Sequence, residues 1–171
     1  MNIKPTAVER LILANQYRIL AKLEHEEAFE RKAEALMEGH AFFYGNVPEL
    51  YDELSETDTR YVLDVLQLFA SLSTSYRQLS DKSGIKPSDV EFYGFDGNNE
   101  VDFLGFAQAL KKNGRYTETL SGKLNSHMPT TEMYERMLGG WRKEGSPTAM
   151  TRQQILAVIA ERTHPDNRDK A

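Results

Sequence analysis

The sequence predicts an all-α fold: one compact domain of about seven helices, with an irregular or short extended segment near 90–97. Three observations carry this. Apolar residues recur at spacings of three and four in successive segments, the period of one face of a helix. A Thr followed three places later by Glu or Gln stands ahead of the first and last of these segments, the pattern of a capping box. Gly39 and the pair Asn113-Gly114 then supply helix stops.

The first helix runs from Ala7 to Leu23, with Thr6 and Glu9 as its capping box and Pro5 ahead of it. At about a hundred degrees per residue, Val8, Leu11, Ile12, Ile19 and Leu23 share one stripe, while Leu13, Tyr17 and Leu20 form a second stripe well around the cylinder. Two packing partners are therefore expected. Asn15 falls inside the first stripe, where an unpaired buried amide costs roughly 1 to 3 kcal/mol and a paired one sets register between helices. The plain reading is a central core helix with one satisfied polar residue; the other is a helix shared between copies, for which Val8, Ile12, Asn15 and Ile19 are the candidate face and a homodimer is the expected partner.

A second helix, His25 to Glu38, uses Phe29, Ala33, Leu36 and Met37 and stops at Gly39, before an aromatic loop HAFFYGNVP. Val47 to Leu54 reads as a short helix, with Pro48 in its first turn. The longest helix spans Thr57 to Gln78, placing Tyr61, Val65, Leu68, Phe69, Leu72 and Tyr76 on one face. Ser71, Ser73, Thr74 and Ser75 near its end suit hydrogen bonds to the preceding turn, and no nucleophile elbow surrounds them. A further helix takes Phe103, Phe106, Ala107 and Leu110 inward and ends at Asn113-Gly114. The stretch from Thr117 to Thr130 is irregular, and a loop of that length is a first place to look for a site. Thr131 opens a helix with Met133, Tyr134, Met137, Leu138 and Trp141 on its apolar side. Thr151 and Gln154 cap the last one, which uses Ile155, Val158 and Ile159. The domain is expected over 1–163, with a disordered tail over 164–171.

Composition narrows the function. The 171 residues are 40% hydrophobic, enough for a core without staples, and contain no cysteine, which excludes thiol nucleophiles, disulfides and thiolate metal sites. No signal-peptide core opens the chain and no apolar run nears the ~20 residues of a membrane span, so a cytoplasmic protein with no membrane partner is expected. A net charge of -5 argues against nucleic acid as a partner, although Lys111, Lys112, Arg115 and Lys123 make a local basic cluster with Tyr116 beside it. His25, His40, His127 and His164 show no metal-ligand spacing, and Gly94-x-x-Gly97 lacks the glycine and lysine of a phosphate loop. No metal and no cofactor are expected.

The passage VEFYGFDGNNEVDFLGF imitates a calcium loop, with Asp96, Asn98, Glu100 and Asp102 on positions three, five, seven and nine. The likeness fails at Gly94 in the first-ligand position, at Asn99 where a glycine must turn, and at Gly105 where a bidentate glutamate must sit. Asn98 or Asn99 is expected to cap the helix that follows, leaving Glu100 and Asp102 in its positive first turn.

Three blocks, ERLILANQYRIL, FYGFDGNNE with GRY at Gly114 to Tyr116, and EMYERMLGGW at Glu132 to Trp141, together resemble the YfbU family of bacterial proteins. The resemblance implies a single helical domain over 1–163 and an uncharacterised biochemical activity. Some relatives are joined to DNA-binding segments, which implies a shared domain that senses a ligand or binds a partner. The family has no established active site, so no catalytic residue is carried over.

The expected function is a non-enzymatic, self-associating module for a small anionic ligand or a protein partner. Asp96, Glu100, Arg115, Tyr116 and Trp141 are expected to line a polar patch, with the guanidinium of Arg115 reading a carboxylate or phosphate. The plain structural alternative is that Arg115 pairs with Asp96 or Glu100. Two further classes are a hydrolase or nuclease using Asp96 and Glu100 as acid and base, and nucleic-acid binding through the basic cluster with Tyr116 stacking.

Overall fold

The structure, a computed structural model, describes residues 5–44, 53–164 and 166. Among the described residues there are seven α-helices and one 3-10 turn, with no strand: α1 (Ala7–Glu24), α2 (Glu27–Glu38), α3 (Ala41–Tyr44), α4 (Glu56–Gln78), α5 (Val101–Lys112), α6 (Thr131–Lys143) and α7 (Arg152–Ala160), the 3-10 turn being Pro87–Asp89. The fold is all-α, and none of these helices is long and apolar enough to cross a membrane. The chain divides into two compact units, Met1–Glu53 and Leu54–Ala171.

In the first unit, α1 starts on the capping box of Thr6 and Glu9, the Glu9 carboxylate accepting from the Thr6 N–H at 2.6 Å. Its second stripe meets α2. Leu13 and Tyr17 pack on the small cluster of Ala14, Ala33 and Leu36, and Tyr17 stacks on Phe29 with ring centroids 6.0 Å apart. Ala14 and Ala33 are small, which lets two helices approach closely on this face. The first stripe goes the other way. Val8, Leu11, Ile12, Ile19 and Leu23 are 67, 46, 52, 60 and 71% exposed, and Asn15 is exposed among them. The expectation of a helix buried on two sides is corrected for this single chain: α2 covers one stripe, and the amide of Asn15 has no partner among the described residues.

Gly39 ends α2 with φ 77°, the left-handed conformation expected of it. The aromatic stretch after it, expected as loop, instead winds one helical turn as α3. The short helix expected over Val47 to Leu54 lies largely outside the described residues, as does the tail beyond His164 apart from Asp166.

The second unit is built on α4, which buries Val62, Val65, Leu66, Leu68, Phe69 and Leu72. Its Ser55 cap starts it one residue ahead of expectation, the hydroxyl accepting from the Asp58 N–H at 3.0 Å. Around it close Ala107 and Leu110 of α5, Tyr134, Met137, Leu138 and Trp141 of α6, and Ile155 and Val158 of α7. Phe69, Phe92, Phe95 and Tyr134 form an aromatic cluster with centroid separations of 5.3 to 5.9 Å. Two of these rings, Phe92 and Phe95, come from the irregular 90–97 segment, so that segment is core despite lacking regular structure.

Candidate functional site

The acidic passage folds into a clasp. Gly94 takes φ 93°, and a Cβ there would stand 2.3 Å from the Leu124 carbonyl oxygen, so only glycine fits. That approach lets the Phe95 N–H donate to the Leu124 carbonyl at 2.9 Å and the Ser126 N–H to the Phe95 carbonyl at 3.1 Å, an isolated parallel bridge. The Gly94 carbonyl in turn accepts from the Tyr134 hydroxyl at 2.8 Å. Asn125 ties the other side, its amide oxygen accepting from the N–H groups of Gly97 at 3.0 Å and His127 at 2.9 Å.

Glu100 is the centre of the clasp. One carboxylate oxygen accepts from the N–H groups of Thr130 and Thr131, both at 2.7 Å, and from the Thr131 hydroxyl at 2.6 Å. The other accepts from the Asp96 N–H at 2.7 Å and the Thr130 hydroxyl at 2.8 Å. Five donors fill the roughly four lone-pair positions of a carboxylate. The two threonine N–H groups open α6, so the negative charge also lies at the positive end of that helix. Burial pushes the Glu100 pKa up, but hydrogen bonds from Thr131, Asp96 and Thr130 outweigh it and hold the carboxyl below its ordinary range.

Asp96 is buried next to this group. Its carboxylate accepts from the Asn98 N–H at 3.2 Å and from the Asn99 side-chain amide. The expectation that Asn98 or Asn99 caps α5 is therefore corrected. Glu100 holds the cap position without capping through its side chain, and Asn99 is drawn to Asp96 instead. Asp96 and Glu100 thus come together, but with their oxygens occupied by the chain's own donors.

The other candidate residues lie elsewhere. Trp141 is a core side chain whose ring N–H donates to the Pro147 carbonyl at 3.0 Å. Arg115 follows the stop of α5, its backbone N–H bonded to the Leu110 carbonyl at 2.9 Å. Its side chain is exposed and makes no ion pair among the described residues, with Asp96 and Glu100 or otherwise. Tyr116 has a left-handed φ of 52° and packs partly against the core.

The loop that follows opens a cleft. Leu120 is fully buried and Leu124 is held by Phe95, so Ser121, Gly122 and Lys123 arch between two anchored points. Beneath them lies a cavity of about 450 Å³ lined by Phe69, Val90 and Phe92, with Ser73, Thr119 and Lys123 among its polar groups. Glu91 and Glu118 also line it, and Glu118 is engaged by Arg77 at 2.9 Å. A hollow of about 330 Å³ shares Ser73, Glu118 and Thr119 with this cleft and adds Tyr116. A third depression, beside α7, contains Arg162, which is already paired with Asp89 at 3.3 Å and lies over the Tyr93 ring. Periodicity could not find Val90 and Phe92, because they lie in irregular chain. The length of the 117–130 loop was the available signal.

A family model described as the YfbU domain matches residues 1–160, a span that includes both clasp and cleft. The UPF0304 protein MJECS11 of Methanocaldococcus jannaschii is 32% identical over 162 residues, which cover 89% of this chain and 96% of that protein.

Proposed function

The chain belongs to the YfbU family, and from that premise we propose that it is a non-enzymatic binding module, regulatory in role, that self-associates and takes a small ligand in the cleft beneath Ser121 to Lys123. The cleft is the observation that carries the reading. It joins an apolar floor of Phe69, Val90 and Phe92 to a few polar groups, the combination by which small-molecule sites fix orientation. Lys123 is its cation; Arg115 is not part of the cleft lining, but it is exposed, has no ion pair among the described residues and directly precedes Tyr116 of the adjoining hollow, which makes it a second group suited to a carboxylate or phosphate. Tyr116 flanks the adjoining hollow. Asp96, Glu100 and Trp141 serve this site indirectly, by fixing the loop and the core behind it. The saturated carboxylate of Glu100 favours this role over acid-base chemistry, which needs a lone pair or proton free for substrate. The compartment proposed is the cytoplasm.

Self-association is supported by the first unit. Its fully buried residues among those described are Ala14, Ala33, Ala35 and Leu36, with Leu13 and Tyr17 partly buried against them, while five larger aliphatic side chains remain exposed on α1.

The test is thermal unfolding of the purified protein against a panel of small carboxylates and phosphorylated metabolites. At least one member is expected to raise Tm, and the rise is expected to fall or vanish in Lys123→Ala and Arg115→Ala, whose unliganded Tm stays within about 1 °C of wild type because both side chains are exposed. A rise that survives both substitutions and also survives Ser121→Trp at the rim of the cleft defeats the assignment, as does a panel with no effect.

A further inference from the structure

We propose that α1 pairs antiparallel with α1 of a second copy, about a two-fold axis passing near residues 15 and 16. This rests on the reading that the protein self-associates and adds which surface does so and in what register. The exposed stripe lies on the side of α1 roughly opposite the Ala14 and Tyr17 side that meets α2, so a partner can reach it without disturbing the pair within the first unit. Val8, Leu11, Ile12, Asn15, Ile19 and Leu23 are uncharged, and Lys22, between Leu11 and Asn15 around the helix, is the charged residue that shares their side.

Their spacing is self-complementary. Val8 and Ile12 stand at the same distances from the point between residues 15 and 16 as Leu23 and Ile19 do on the other side. A two-fold interface requires that residue i meet residue j and j meet i, and here Val8 meets Leu23 of the second copy while Ile12 meets Ile19. Asn15 then falls beside its own counterpart. Each amide has a donor and an acceptor, so two copies can satisfy each other across the axis, and any slip of register would leave both against aliphatic side chains. The area is also adequate. With 46 to 71% of each of five aliphatic residues exposed, the stripe offers roughly 500 Å² per copy, and two such stripes reach the ~1,000 Å² of a specific interface.

Because the chain contains no cysteine, introduced thiols report on the pairing without interference. The full chain is examined by size exclusion with light scattering and by a short bis-maleimide on three variants: Val8→Cys, Leu23→Cys, and the two combined. In the antiparallel pair, Val8 lies about 22 Å along the axis from Val8 of the second copy, from a rise of ~1.5 Å per residue, but directly across from Leu23. The expected result is a dimer in which the combined variant is cross-linked between chains and neither single variant is. Ile12→Asp is expected to weaken the dimer at least tenfold without altering the Tm of the second unit. A dimer that cross-links through Val8→Cys alone is parallel and overturns the pairing while leaving self-association standing. A dimer that Ile12→Asp does not weaken uses another surface and does the same. A chain that stays monomeric at millimolar concentration overturns both readings.

Discussion

At Glu100 five donors converge on one carboxylate, and the consequences are specific to that charge. Glu100→Gln replaces one accepting oxygen with a donating NH2 group, which then faces the backbone N–H groups or hydroxyls of Thr130 and Thr131 rather than receiving them. The expected loss is about 3 kcal/mol, measured by urea unfolding at pH 7, since hydrogen bonds to a charged group are worth about 1.5 to 3 kcal/mol and a donor left buried costs more. The same carboxylate gives stability a pH dependence. Its folded pKa lies below the ordinary 4.5, so the folded state binds fewer protons than the unfolded state in the acid range. Its contribution is complete above about pH 5 and is lost as pH falls through the folded value. In Glu100→Gln the acid limb of the stability curve is expected to be shallower than in wild type, and an unchanged limb would contradict the assigned role. The acid-loop composition was plain in the sequence, but which donors Glu100 meets was not. Thr130 and Thr131 are thirty residues away, and only the turn at Gly94 brings them to it.

Helix boundaries marked by a reciprocal capping box follow from local chemistry, which is why those were readable in advance. Thr6 with Glu9 and Thr151 with Gln154 both form the reciprocal boxes expected of them. Thr151→Ala is therefore expected to cost about 1 kcal/mol by removing the acceptor for the Gln154 N–H, measured as a lowered urea midpoint with an unchanged m-value. The face of α6 was equally legible, and that of α4 in part: Val65, Leu68, Phe69 and Leu72 are buried as expected, but so are Val62 and Leu66, which widen the stripe. α1 has two apolar stripes, and sequence periodicity cannot rank them. In the structure Ala33 and Leu36 of α2 take the side with Ala14 and leave the larger aliphatic residues exposed.

On the scale of the molecule, the two units have very different cores. Among the described residues the second buries twenty apolar side chains around α4, whereas the first has a cluster of Ala14, Ala33 and Leu36 with Leu13 and Tyr17 beside it. If α1 contributes the contact between copies, its helicity is linked to concentration by mass action. Dilution from about 100 μM to below the dimer Kd is expected to lower far-UV helical signal by part of the α1 and α2 contribution, while near-UV signal from Trp141 in the second unit stays constant. A helical signal independent of concentration in a protein shown to dissociate would mean that the first unit holds itself together.

Sequence alone determined the all-α class, the capping boxes at Thr6 and Thr151, the family and much of the apolar inventory of the longer helices, because those depend on residues within a few positions of one another. Tertiary structure alone decided three things: that Glu100 is spent on α6, that irregular chain at Val90 and Phe92 floors a cleft, and that α2 packs on the Ala14 side of α1 rather than on the Val8 to Leu23 stripe. Each depends on which distant segment arrives at a surface, and neither a periodicity nor a motif encodes that arrival.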